Sequence, residues 1–147
     1  MTGQTVKRLR SDLRVEQPGS RWSLIEGGTR NPQLVRQLRQ HLDLWDQDDA
    51  YFPTKVALIV LLKNPSRLRA LAEALQQIDL AGRPCLIIDD EADEAGLNTR
   101  TQRGEMSPTY QRILSLRSVV PYHTYLQYTA TPQANVLISV LDTLFPR

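Results

Sequence analysis

The chain has one cysteine, Cys85, and two histidines, His41 and His123, in 147 residues. A single thiol excludes an internal disulfide, and so few soft ligands speak against a structural zinc site. No apolar run reaches membrane-spanning length, and the N-terminus lacks a signal-peptide pattern. The sequence therefore predicts a cytoplasmic protein with no membrane partner. The formal charge of +2 is too small to imply nucleic-acid binding by itself. Its distribution says slightly more, because Lys7, Arg8, Arg10, Arg14, Arg21, Arg30, Arg36 and Arg39 all precede an acidic stretch from Asp43 to Asp49. Such a segment is ordinarily a solvated helix face, with DNA binding as the alternative.

What is present is one domain's worth of chain, 41% hydrophobic and 23% charged, ordinary for a soluble globular protein. A single domain over residues 1–147 is expected, with a loosely patterned N-terminal part (1–50) and a core (51–147). Val6, Leu9 and Leu13 give residues 5–15 a short helical stripe, and Gln17-Pro18-Gly19-Ser20 reads as a turn. Asn31-Pro32, Asn64-Pro65 and Ser107-Pro108 each put a capping side chain before a proline, the pattern of a helix start. Leu34, Val35, Leu38 and Leu42 follow the first at helical spacing. Leu68, Leu71, Ala72 and Leu75 follow the second, and Tyr110, Ile113 and Leu114 the third. These stripes are core faces.

Strands are expected at Trp22–Ile25, Val56–Leu62, Leu86–Asp89 and Thr124–Tyr128, with a shorter one at Val136–Ile138. Strands alternating with helices argue for βαβ crossovers and an α/β fold: a three-layer parallel sheet flanked by helices. The polar stretch from Ala95 to Glu105 reads as a surface loop.

The most informative stretch begins at Pro84-Cys85-Leu86-Ile87-Ile88. It then breaks into four carboxylates, Asp89, Asp90, Glu91 and Asp93, within five positions. An apolar run of this kind reads as a strand buried on both faces of a parallel sheet. Ligands in open α/β sheets bind at the carboxyl ends of the strands. A strand-final Asp followed by Glu suits a magnesium-holding Asp and a Glu that polarises the attacking water of a nucleotide hydrolase. The plainer reading is an acidic loop capping the next turn. Tyr128-Thr129-Ala130-Thr131-Pro132 also follows a strand and so falls on the same sheet edge. Taken alone, it is a strand end with Thr131 capping a turn. The order and spacing of the two segments together favour a nucleotide site.

Asp90-Glu91-Ala92-Asp93 spells the motif that names the DEAD-box helicases. More widely, the chain resembles the endonuclease Z-one domain family, helicase-like ATPase modules of large bacterial proteins tied to restriction and DNA defence. The likeness rests on Lys63-Asn64-Pro65, the segment Leu86 to Asp93, Leu97-Asn98-Thr99, and Thr129-Ala130-Thr131-Pro132-Gln133-Ala134-Asn135. It covers roughly residues 50–145. The resemblance implies a helicase-type P-loop NTPase first lobe that takes ATP and Mg²⁺. By the same likeness Asp90 is the metal-associated Asp and Glu91 the catalytic Glu, with Asp93, Thr129 and Thr131 as nucleotide-coupling residues.

One family element is missing. No GxxxxGK[ST] occurs anywhere, and Glu26-Gly27-Gly28-Thr29-Arg30 lacks both the Lys and the spacing. Without backbone amides around the β-phosphate and a Lys at the β/γ oxygens, independent ATP binding should be poor. The sequence thus predicts part of an incomplete ATPase lobe, inactive alone, whose partner is the remainder of a larger helicase-like protein or a separate P-loop subunit. Two alternatives stand beside it. One is a degenerate interaction module that binds DNA through its arginine-rich start. The other is a metal-dependent endonuclease using Asp89, Asp90, Glu91 and Asp93. Neither His41 nor His123 is assigned a role.

Overall fold

Turn chemistry sets the element boundaries. A computed structural model describes residues 2–26, 31–46, 56–91 and 107–129. These fall in two compact units, one within Met1–Asp79 and the other within Leu80–Arg147.

The first unit opens with α1 (Thr2–Asp12), which buries Val6 and half-buries Leu9 and Leu13. Arg14 then takes a left-handed conformation, φ 50°, and ends the helix as such residues do. In the turn that follows, Pro18 precedes Gly19 at φ 80°, and the Ser20 amide donates to the Gln17 carbonyl at 3.0 Å. This is the type II geometry that needs glycine at its third position. Strand β1 (Trp22–Glu26) pairs in parallel with β2 (Val56–Val60), Trp22 opposite Val56 through Glu26 opposite Val60. Between them runs α2 (Asn31–Asp46), burying Leu34, Val35, Leu38 and His41.

The capping pattern is realised at α3 (Pro65–Leu75). The Asn64 side chain accepts from the Arg67 amide at 2.9 Å and from the Ser66 hydroxyl at 3.0 Å. That cap also explains why β2 stops at Val60 and not at the expected Leu62. The Asn64 amide turns back to the Leu62 carbonyl at 2.9 Å, freeing the chain to enter the extended conformation that precedes proline. Leu68, Leu71, Ala72, Ala74 and Leu75 form the buried face of α3. On the outside of this packing, the Arg39 guanidinium of α2 donates to the Gln77 carbonyl just past α3, at 3.0 Å. At α2, which starts at Asn31, the expected cap rests on a side chain that lies outside the described residues.

The second unit holds β3 (Cys85–Asp90), α4 (Pro108–Val119) and β4 (His123–Tyr128). Ser107 caps α4 by accepting from the Tyr110 amide at 3.2 Å, and Ile113, Leu116 and Val120 are buried. Strands β3 and β4 are parallel, with Cys85 opposite His123 and Asp90 opposite Tyr128.

The architecture is therefore α/β with parallel pairing across helix-containing connections. Among the described residues the strands make two two-stranded sheets, not one larger three-layer sheet. The expectation that β3 is buried on both faces is corrected. Cys85, Ile87 and Asp89 turn inward, whereas Leu86 and Ile88 are 61% and 60% exposed. A continuous apolar run hid a strict alternation, because both faces of this strand carry aliphatic residues. The expected strand at Val136–Ile138 and the loop from Ala95 to Glu105 lie outside the described residues.

Removing the Asn64 cap by Asn64→Ala is expected to lower the unfolding free energy by about 1 kcal/mol, against about 2–5 kcal/mol for Leu71→Ala in the core. Urea denaturation followed by circular dichroism measures both. An Asn64→Ala variant as stable as wild type would remove the cap from the account.

Candidate functional site

Parallel pairing puts the ends of β3 and β4 side by side. Asp90 is the last residue of β3 and its carboxylate lies on the exposed face, across from Tyr128. Glu91 follows at once in a left-handed conformation, φ 54°. Its amide donates to Asp90 Oδ1 at 3.1 Å, so the Asp90 carboxylate folds over the turn that ends its own strand. A glutamate at positive φ is uncommon, and backbone strain of this sort concentrates at functional sites. Thr129 is half-buried directly after β4. The structure thus brings Asp90, Glu91 and Thr129 to one sheet edge. Asp93 and Thr131 lie outside the described residues.

Asp89 has a different environment from Asp90. It is on the inner face, 8% exposed, and its Oδ2 accepts from the Tyr125 hydroxyl at 2.5 Å. The phenol is the donor of this bond and the carboxylate its acceptor. Tyr125 sits diagonally across the strand pair, one inner-face position below Gln127, which is opposite Asp89. Behind it, the Arg117 guanidinium of α4 stacks on the Tyr125 ring, 4.5 Å from the centroid, in cation–π geometry. Arg117 Nε also donates to His123 Nε2 at 3.2 Å, while His123 Nδ1 meets the Val120 carbonyl at 2.7 Å. A carbonyl can only accept, so Nδ1 carries the proton of that bond and Nε2 offers its lone pair to Arg117.

These contacts set the proton chemistry of the inner face. Burial, reinforced by the hydrogen bond to the Asp89 carboxylate and its charge, pushes the Tyr125 phenol well above the usual tyrosine range, with Gln127 and the Arg117 cation opposing. Burial likewise raises the Cys85 thiol, whose Sγ lies 3.6 Å from the Arg83 carbonyl. A raised, half-buried thiol is a poor nucleophile.

The Asp89–Tyr125 bond and the Arg117–His123 contact were not singled out from the sequence. The available signal was parity: if β3 continues through Asp90, Asp89 shares a face with Ile87 and needs an inward partner. His123, left without a role, is held between Arg117 and the Val120 carbonyl.

Magnesium can be tested against this donor set. Among the described residues no group of three or more His, Cys, Asp or Glu side chains could hold a metal ion. A self-sufficient cage is not what magnesium needs beside a nucleotide, where one or two carboxylates suffice and phosphate oxygens and water complete the shell. The exposed Asp90 carboxylate fits that role; the buried, hydrogen-bonded Asp89 does not. Among the described residues, too, no helix is long and apolar enough to cross a membrane. The chain matches no protein-family model, no curated protein and no solved structure.

Two outcomes follow for measurement. The raised Tyr125 phenol contributes stability that is complete below the ordinary tyrosine value of about 10 and is lost as pH rises through the higher folded-state value. Wild type should therefore lose stability above about pH 10 more steeply than Tyr125→Phe; parallel curves of denaturation midpoint against pH would contradict this. Replacing the left-handed residue by Glu91→Gly should raise the unfolding free energy by about 0.5–1 kcal/mol, since glycine relieves the positive-φ penalty and gives back part of it as chain entropy. A clear drop in melting temperature would show that Glu91 makes contacts worth more than its strain.

Proposed function

We propose that this chain carries the magnesium and water half of a helicase-like ATP-hydrolysing site, of the kind that the Z-one resemblance implies. Asp90 is the magnesium-side carboxylate, Glu91 the group that orients and deprotonates the attacking water, and Thr129 the start of a coupling segment that continues to Thr131. Asp93 belongs to the same segment as Glu91. The observation that carries the reading is the parallel pairing of β3 with β4, which sets the tips bearing Asp90 and Thr129 next to one another. In this reading the pair belongs to a three-layer parallel sheet of a larger fold, and the protein acts in ATP-dependent DNA processing linked to restriction or DNA defence.

The division of labour follows from charge. Magnesium, when bound with nucleotide, neutralises phosphate oxygens. Asp90 supplies one negative ligand on the exposed face, and Glu91, one residue on, is turned away from the strand line by its left-handed backbone. The phosphate-cradling half, a GxxxxGK[ST] loop, is not in the sequence. Affinity for nucleotide is therefore weak, and turnover needs a P-loop supplied from elsewhere in a larger protein or by another subunit.

The endonuclease alternative asks Asp89 and Asp90 to share metal ions. Their opposite faces, with Asp89 engaged by Tyr125, weigh against that. The DNA-binding alternative relies on the arginine-rich start. Arg10 there is already paired with Glu16 at 3.1 Å and Glu26 at 2.8 Å, which turns part of the basic charge to internal use.

The test has two arms. Mg²⁺–ATP at roughly millimolar concentration, the regime of weak binding near −4 kcal/mol, should shift the amide resonances of Asp90, Glu91 and Thr129. Steady-state phosphate release should stay at the level of Glu91→Gln. Resonances that do not move would remove the nucleotide site, and wild-type phosphate release that vanishes in Glu91→Gln would show a complete site where half of one is proposed.

A further inference from the structure

Asp89 is a buried carboxylate for which the proposed chemistry has no use. It lies between an aliphatic strand and two working carboxylates, and three adjacent acidic side chains repel one another. A buried carboxylate is tolerated only when charge and hydrogen bonds compensate it. Here the next strand supplies a hydrogen bond from the Tyr125 hydroxyl at 2.5 Å, and the Arg117 guanidinium of the helix behind it packs on the Tyr125 ring. Arg117 is in turn fixed by His123, and His123 by the Val120 carbonyl at the end of α4. The chain of contacts runs from the Val120 carbonyl at the end of α4 to the penultimate residue of β3.

We propose that Tyr125 is a positioning residue for the Asp90 carboxylate. In a strand, fixing one side chain inward forces its neighbour outward, and a slip by one residue reverses every side chain. By holding Asp89 inside, Tyr125 reinforces the parity that the β3–β4 ladder sets and steadies Asp90 on the exposed face. Without the hydroxyl, Asp89 loses a hydrogen bond that ties it to β4, and the strand tip that presents Asp90 loosens. Arg117 and His123 act through Tyr125 and touch no substrate. The same bond ties the penultimate residue of β3 to the middle of β4. This proposal rests on the reading of Asp90 as the metal-side carboxylate.

The experiment uses Mn²⁺ alone as probe on the ¹⁵N-labelled full chain, reading paramagnetic broadening of the Asp90 and Glu91 amides. Wild type should show selective broadening there. Tyr125→Phe, which removes one oxygen atom, should weaken the apparent Mn²⁺ affinity roughly tenfold, the scale of loss when a group supporting a metal ligand is removed. Asp89→Asn keeps an acceptor for the hydroxyl and should stay within about threefold of wild type, again on the scale for supporting groups. Asp89→Ala removes the acceptor and should lose as much as Tyr125→Phe; it serves in place of that variant if the latter does not fold. A purely structural role would lower the denaturation midpoint and leave the Mn²⁺ affinity of folded protein unchanged. That result, with broadening intact in wild type, overturns the positioning role and leaves the metal-site reading standing. Absence of selective broadening in wild type overturns both.

Discussion

The constraint on which this structure depends is the in-register parallel pairing of β3 with β4. A parallel pair aligns strand ends, so whatever closes each strand meets at one edge. Here β3 closes on Asp90 and Glu91, and β4 on Tyr128 and Thr129. The same pairing fixes parity across the sheet: residues opposite one another share a face. Cys85 with His123 and Ile87 with Tyr125 fall on the inner side, and Ile88 with Leu126 and Asp90 with Tyr128 on the outer. Charge, packing and proton chemistry then sort by face. The inner side gathers the buried carboxylate and its hydrogen bonds, while the outer side presents the exposed one.

A two-stranded pair is marginal on its own and needs a packed face or a helix to persist. In the second unit that support is partly polar. Arg117 reaches from α4 onto the Tyr125 ring, and Tyr125 reaches Asp89. Polar networks of this sort specify geometry more sharply than aliphatic contacts do, because each donor has one acceptor at the right distance. They are also costly when broken, since the buried partner left behind retains its full desolvation penalty. The first unit relies on the more usual device, with the leucine stripes of α2 and α3 buried and guanidinium contacts confined to the outside.

Much of the fold was legible in the sequence, and for identifiable reasons. Asn64-Pro65 and Ser107-Pro108 announced helix starts because a cap side chain and a fixed φ act within four residues, where no tertiary contact intervenes. The Pro18-Gly19 turn was legible on the same ground. The four expected strands that fall among the described residues were placed to within a residue or two, and β2 ended early because the cap at Asn64 requires the chain to turn first. What the sequence hid was which face of β3 is covered. Leu86 and Ile88 look as buried as Ile87 when hydrophobicity alone is read, and only pairing and the position of Arg117 tell the faces apart. The partnership of Asp89 with Tyr125 was hidden for a related reason: it joins residues 36 apart in sequence, through a register that no local pattern encodes. At the candidate site, Asp90 and Glu91 were legible as a strand end followed by a charge. The left-handed backbone at Glu91 was not, because glutamate carries no propensity for it.

That backbone bears on how the carboxylates divide their roles. Had β3 continued regularly through Glu91, its side chain would have followed Asp89 onto the inner face, two residues on. A catalytic carboxylate there would face the Tyr125 side of the sheet, away from Asp90. Leaving the strand by a positive-φ step breaks the alternation at the one place where breaking it releases Glu91 from the inner face. The Asp90 side chain stabilises that departure by accepting the Glu91 amide, which the ladder no longer uses. Glycine would enter the same turn at lower cost but would bring no carboxylate. A non-glycine residue at positive φ directly after a strand-final aspartate puts a turn and a charge at one position, the combination that the role proposed for Glu91 would use.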